Sequence, residues 1–404
     1  MTHEPPVPRL RRVLSLPLLV FYGVGVTIGA GIFALIAEII GIAGDHAPLS
    51  FLVAGAVAAF TGLSYAVLAS AYPRAAGEAI FVKLAMGSLA GRIVGYGVIA
   101  VAITSSAVIG LAFARYAESF SYVPEPLSLI AVLVMLSGVA SLGVRESVGF
   151  AALITVLEVG TLLVVAIAGL PMALTSPHIG SILSLPADWT AWSAVFAGGF
   201  VAFFAFIGFE DIENMAEETR NASRNVPLAI ILTLVISVAI YALVAIVAAA
   251  WPGRAQLTAS RAPLAELFAD VTGLSGTPVA VMASIAMING ILVQIIMASR
   301  VIYGMTQESM LPRALGKLHP GRQTPIRAIF LISTAAALLG LLLPLVQLAE
   351  LTSLVMLCIF AAVNLSLFIL GQRPDAHPRL KRWRHFGLFG TAVSAALIIV
   401  SLAK

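Results

Sequence analysis

Long apolar runs separated by short polar breaks make up almost the whole chain. They lie at about 18–44, 48–72, 93–117, 126–143, 149–171, 192–214, 227–251, 276–303, 327–344, 347–370 and 385–403. Runs of this length suit helices that cross a hydrocarbon core roughly 30 Å thick. They are built of Leu, Ala, Val and Ile with scattered Gly, and lack the alternation over about ten residues that membrane barrel strands show. The pattern predicts an all-α integral membrane protein with eleven transmembrane helices. No intervening loop is long enough to be a folded domain, so 1–404 reads as a single transmembrane domain. Arg9, Arg11 and Arg12 before the first run give the start a superficial likeness to a signal peptide. The run is too long for an h-region of about 7–15 residues and no cleavage site follows, so it reads as span one.

Charge supports this count. With the N-terminus cytoplasmic, nineteen of the 23 Lys and Arg residues fall on the cytoplasmic side, and only Arg115, Arg254, Arg261 and Lys404 on the other. Omitting or splitting a span would scramble that bias, which follows the positive-inside rule and predicts a multi-pass inner (plasma) membrane protein. Composition then excludes classes: 60% hydrophobic and 10% charged residues are incompatible with a soluble enzyme or a single-pass receptor. One cysteine, Cys358, excludes a disulfide framework and reads as a buried small residue. The six histidines lie outside the apolar runs or, as His385, at the very edge of one, and no metal-ligand spacing occurs, so neither metal nor cofactor is expected. The basic segment 373–384 reads as an anchor facing anionic lipid, with no nucleic-acid partner expected. Segments 74–92 and 254–272 read either as short interfacial helices that cap a pathway or as plain connectors.

Two spans interrupt their own pattern. Span one reads FYGVGVTIGAGIFAL, with Gly23, Gly25, Gly29 and Gly31 close together; span six reads FAGGFVAFFAFIGFEDIEN. Glycine costs about 1 kcal/mol against alanine within a helix. Such clusters mark either close helix packing or planned unwinding. Spans one and six are five apart and therefore run in opposite directions, as two halves related by an in-plane pseudo-two-fold require. Interruptions at matching positions point to the central site of a transporter. Unwound backbone there offers N–H groups to a carboxylate and carbonyls to an ammonium, so a zwitterion fits without charged side chains.

The segments GVGVTIGAGIF (23–33), FFAFIGFEDIENMAEETRNASRNVPLAI (203–230) and ASRVIYGMTQESMLPRAL (298–315) resemble the amino acid/polyamine/organocation (APC) superfamily of transporters, over about residues 10–370. That resemblance implies a leucine-transporter-type fold, a 5+5 inverted repeat with broken helices 1 and 6. The first repeat would be 18–171, the second 192–370, and 385–403 one extra C-terminal helix. It further implies a substrate site at Thr27, Ile28, Gly29, Ala30 and Gly31 on span one and at Phe204, Ala205, Phe206, Ile207, Gly208 and Phe209 on span six. The backbone at 29–31 would take a carboxylate, carbonyls near Thr27 and 204–207 an amine, and Phe206 or Phe209 would close over the substrate. The chain departs from the family in having eleven spans where twelve are usual, Ser309 where a glycine is expected, and Glu158 where many members place a lysine.

Glu158 is the most informative single residue. It lies about ten residues into span five, and a charge at bilayer centre costs roughly 2.5–3.5 kcal/mol on insertion scales. Three readings fit: a proton-coupling carboxyl, a cation ligand beside the broken first span, or a neutral acid bonded to a neighbouring helix. Glu210, just after the span-six break, is the second candidate for coupling or gating, and Glu38 faces an outer vestibule. The acids from Glu210 to Glu218 are read at a helix C-terminus, where they oppose the helix dipole, with Glu217 and Glu218 either solvated or paired with Arg220 and Arg224. Asn225 reads as the N-cap of span seven, with Pro227 in its first turn. The function expected is secondary transport of an amino acid or related small amine by alternating access, coupled to protons or to exchange. A sodium symporter of the same fold is the alternative, with Ser284 and Ser299 of span eight as thin candidates for ligands. A membrane enzyme lacks a nucleophile with its base, and a channel lacks a repeated filter.

Overall fold

The computed structural model describes residues 14–72, 77–142, 148–257, 259–307 and 310–402, and for 148–151, 214 and 217 the backbone only. Ser309, Arg74, Arg145, Lys404 and the N-terminal arginines lie outside the described residues, as does the Glu217 side chain.

Every apolar run becomes helix. Span one is Leu16–Ile28 followed by Gly31–Ala43; spans two to five are Ala47–Ala71, Ser88–Glu118, Glu125–Ser141 and Val148–Thr175. Span six is Trp189–Ala202 continued by two 3-10 segments, Phe203–Phe206 and Phe209–Glu218. Spans seven to eleven are Ala222–Ala250, Thr277–Gln307, Ile326–Leu342, Leu345–Gly371 and Pro378–Leu402. The protein is thus an all-α integral membrane protein. Spans four and nine are the shortest unbroken passes, 17 residues each, which reach about 25 Å.

Local chemistry sets the helix starts. Pro17, Pro48 and Pro126 lie in the first turns of spans one, two and four, where the missing N–H costs nothing. Asp188 caps span six by accepting from the Ala191 N–H at 2.8 Å. The start of span seven departs from expectation. It begins at Ala222, after Asn221 in the left-handed region at φ 48, and the Asn225 side chain instead donates to the Arg220 carbonyl. Pro227 therefore lies inside the helix and deprives the Ser223 carbonyl of its partner. Arg379 supplies the replacement at 2.9 Å. Span eleven likewise starts seven residues earlier than its apolar run, so part of the basic segment is helical and docks on protein: Arg373 donates to the Leu84 carbonyl as Arg379 does to Ser223. Span three extends back to Ser88, behind a short helix Gly77–Met86 and Gly87 at φ +93.

Spans one, two, six and seven pack on one another, while span three packs on eight, nine and ten. Span five lies against spans one and seven, and span eleven against spans ten and two. Buried hydroxyls and an amide link these helices, as Thr104 with Thr352 at 2.7 Å and Asn364 with Thr61 at 3.0 Å. Leu14 bridges to the strand-like turn after span six, donating to the Glu218 carbonyl at 3.0 Å and accepting from the Arg220 N–H at 2.9 Å. Cys358, expected to be buried, is exposed on the outside of span ten; its helix phase turns it away from the packed faces that carry Leu357 and Phe360.

Candidate functional site

Both expected interruptions are present. The first half of span one ends at Ile28, a turn covers Gly29 and Ala30, and the second half starts at Gly31. Each half has 13 residues and runs about 20 Å, which places the break near mid-membrane. In span six the α-helix stops at Ala202, and the extended Ile207 together with Gly208 at φ +123 separates the two 3-10 segments. A left-handed φ of that size favours glycine, and a Cβ at Gly208 would also fall 2.9 Å from the Val26 carbonyl oxygen.

The breaks touch each other. A Cβ on Gly31 would lie 2.5 Å from the Ala205 Cα, so the backbones meet at the distance only glycine permits. Tyr241 of span seven completes the junction. Its hydroxyl lies 2.8 Å from the Thr27 carbonyl and 2.7 Å from the Ala205 carbonyl, and its one proton serves either of them. These are carbonyls that the helix breaks leave without helical donors. Tyr241→Phe is expected to cost about 1–2 kcal/mol, read as a lowered thermal midpoint in detergent, with slower transport.

A cavity opens against this junction. Gly25, Val26, Thr27, Ala30 and Gly31 of span one and Phe204 and Ile207 of span six line one side. Ser105 and Ile109 of span three, with Asn289, Gly290, Val293 and Gln294 of span eight, line the other. Of the expected site residues, Thr27, Ala30, Gly31, Phe204 and Ile207 therefore meet at one space. Ile28 and Gly29 do not line it, Ala205 faces Gly31, and Gly208 faces Val26. Phe206 packs on Tyr241 at 5.1 Å between ring centres, and Phe209 on Tyr65 and Phe360 at 5.9 and 5.3 Å. Neither faces the cavity; Phe204 is the aromatic ring there. Span eight's contribution went unread in the sequence, although Asn289 and Gln294 are amides inside an apolar run, the same signal that singled out Glu158.

Glu158 is 1% exposed, and neither carboxyl oxygen has a hydrogen-bond partner. One turn earlier, Thr155 donates to the Phe21 carbonyl at 3.1 Å and sits directly against Gly25. This face of span five therefore abuts the first half of span one, and Glu158 lies within electrostatic reach of Tyr241. Glu210 is also buried, but its carboxylate accepts from the Gly208 N–H at 2.9 Å. The acids that follow correct the sequence reading. Glu210 and Asp211 open the 3-10 segment Phe209–Glu218 rather than close a helix, so these two sit at the favourable, positive end of its dipole. Ser284 and Ser299 donate to carbonyls of their own helix and do not line the cavity. Among the described residues no group of three or more His, Cys, Asp or Glu could hold a metal ion.

Glu38 lines a second cavity between Arg115 and Arg261, 3.5 Å from the Arg115 guanidinium. Ser260 and Pro263, at the start of the short helix Pro263–Thr272, form its wall. The segment 254–272 is thus part of a vestibule on the end of the bundle opposite Leu14.

Two interrupted helices that meet around a cavity, in a bundle of apolar spans, are the arrangement expected of a membrane transporter. A family model for amino acid permeases matches residues 14–403. The chain belongs to the amino acid permease family within the APC superfamily. It is 31% identical over 400 residues to an uncharacterized transporter of Mycobacterium tuberculosis, covering 98% of this chain and 88% of that one. It is 27% identical over 393 residues to the branched-chain amino acid permease BcaP of Bacillus subtilis, covering 92% and 83%. To the vacuolar cationic amino acid transporter 2 of Arabidopsis thaliana it is 28% identical over 397 residues, covering 92% and 61%.

Proposed function

We propose that the chain is a secondary active transporter that moves an amino acid by alternating access and couples that movement to protons. The observation that carries this reading is the cavity at the junction of the two breaks. The second half of span one points its first N–H groups, from Gly31 onward, toward the junction without a capping side chain. They would take the substrate carboxylate, while the carbonyls of Val26 and Thr27 would face its ammonium. Spans one to five (18–171) and six to ten (192–370) would be the two repeats, related by an in-plane pseudo-two-fold. Tyr241 would keep the two breaks together as access alternates. The charge bias supports an N-terminus in the cytoplasm and residence in the inner (plasma) membrane.

The names of the relatives support an amino acid as substrate, and Glu158 supports proton coupling. A carboxyl without partners at this depth is stable only when protonated or beside a cation. Counterflow of radiolabelled amino acids into sealed proteoliposomes tests the proposal. Exchange of at least one amino acid, with uphill accumulation under an inward proton gradient, is expected. Accumulation that follows a sodium gradient instead would replace the proton with sodium. Uptake that never exceeds equilibrium and shows no counterflow would indicate a channel.

A further inference from the structure

The cavity carries a set of polar groups that the two breaks leave unused. Asn289, Gly290, Val293 and Gln294 form one stripe of span eight, each of the first two a helical turn from one of the last two. Ser105 faces the same space from span three and Thr27 from span one. Thr27 is 2% exposed and its hydroxyl has no hydrogen-bond partner. Among the described residues, the side chains of Asn289, Gln294 and Ser105 also make no hydrogen bond within the protein, and none of the three has an interaction left undescribed. Each amide brings two donors and an acceptor oxygen, and each hydroxyl a donor and lone pairs. Thr27 and Ser105 are buried and Asn289 and Gln294 half-buried; polar groups that a ligand covers need partners, and a site built to hydrogen-bond its ligand rejects ligands that leave those groups unpaired.

Among the described residues, no charged side chain lines the cavity. A lysine or arginine side chain would bring a second positive charge with no carboxylate to meet it. A leucine or valine side chain would cover both amides with methyl groups. The remaining wall, Ile109, Phe204, Ile207 and Val293, is apolar and suits the methylene part of a short side chain.

We infer that the cavity selects amino acids whose side chains are uncharged and hydrogen-bonding, amides or hydroxyls, read by Asn289, Gln294 and Ser105. This rests on the transport reading above. The substrate's α-carboxylate and ammonium engage the backbone at the breaks, and its side chain crosses the cavity toward span eight. An amide side chain there can pair donor to acceptor with the Asn289 or Gln294 amide in both directions.

The test is counterflow in proteoliposomes preloaded in turn with glutamine, asparagine, serine, threonine, leucine, valine, lysine or arginine. Wild-type protein is expected to exchange its best amide or hydroxyl amino acid at least tenfold more efficiently than leucine, valine, lysine or arginine, a difference of about 1.4 kcal/mol. Asn289→Leu and Gln294→Met, near-isosteric and apolar, should each erode that preference about tenfold. A single monodisperse peak in detergent and a thermal midpoint near that of the wild type show that the variants are folded. Should they fail to insert, the wild-type profile decides alone. Preference for leucine or lysine in the wild type overturns the inference and leaves the transport reading intact, as does an unchanged profile in both folded variants. Absence of counterflow with every amino acid overturns the transport reading, and the inference with it.

Discussion

Glu158→Gln should abolish proton-driven accumulation while leaving exchange of substrate intact. Glutamine keeps the shape of the side chain and most of its hydrogen-bonding capacity but cannot take up or release a proton. In the wild type both carboxyl oxygens lack partners, so water reaching the residue in one conformation and leaving it in the next can load and unload one proton per cycle. With one proton moved per substrate, a gradient of one pH unit sustains at most about tenfold accumulation, since each tenfold is worth about 1.4 kcal/mol. The variant should fall from near that ratio to none, measured as the steady-state ratio of labelled substrate inside and outside proteoliposomes. Counterflow at equal pH on both sides should proceed within about threefold of the wild-type rate. Full accumulation in the variant would remove Glu158 from the coupling step and leave Glu210, which the Gly208 N–H already engages, as the next carboxyl to test. Lost dependence on a sodium gradient would identify Glu158 as a cation ligand.

The parts of this architecture that could be read from the sequence are those in which a residue type violates its surroundings. Glycine clusters inside apolar runs located both breaks, and a lone carboxyl inside span five located Glu158. The same rule applied to span eight would have found Asn289 and Gln294; their role emerges only with the helical phase that turns them toward span one. Tyr241 could not be found this way. It sits in YALVAI among ordinary span residues, and its significance lies in two carbonyls, 36 and 214 positions away in sequence. Direction was the other gap. Between Phe203 and Phe209 the backbone passes from a 3-10 turn through an extended break into a second 3-10 segment, so no single period in the order of residues tells which phenylalanine faces the cavity. Phe204 does, while Phe206 and Phe209 pack behind it. The break also hid where the following segment begins, which inverted the reading of Glu210 and Asp211. The start of span seven was misplaced for a related reason: Asn221 and Asn225 are both good cap residues, and only the positive φ of Asn221 decides between them.

Gly31→Ala should cost transport at least tenfold, whereas Gly29→Ala should stay within about threefold of wild type. Sequence alone made these two glycines equivalent, since both belong to the same interrupted motif. Their surroundings differ. A Cβ on Gly31 meets the Ala205 Cα at 2.5 Å and its Cβ at 2.8 Å, so one of the two breaks has to move as a body. Overpacking of this sort costs about 1–3 kcal/mol, and the strain falls on the contact that also carries the Tyr241 hydrogen bonds. A Cβ on Gly29 meets only carbonyls of its own preceding turn, the nearer at 3.1 Å, and does not reach span six. The pair therefore separates two roles for the motif. Equal loss in both variants would mean that the backbone at 29 must approach substrate directly, as the family resemblance implies. Loss confined to Gly31→Ala would mean that contact between the breaks, which sets the width of the cavity, is what the glycine protects. Initial rates of counterflow, alongside the thermal midpoint of each purified variant, distinguish a displaced break from a protein that no longer folds.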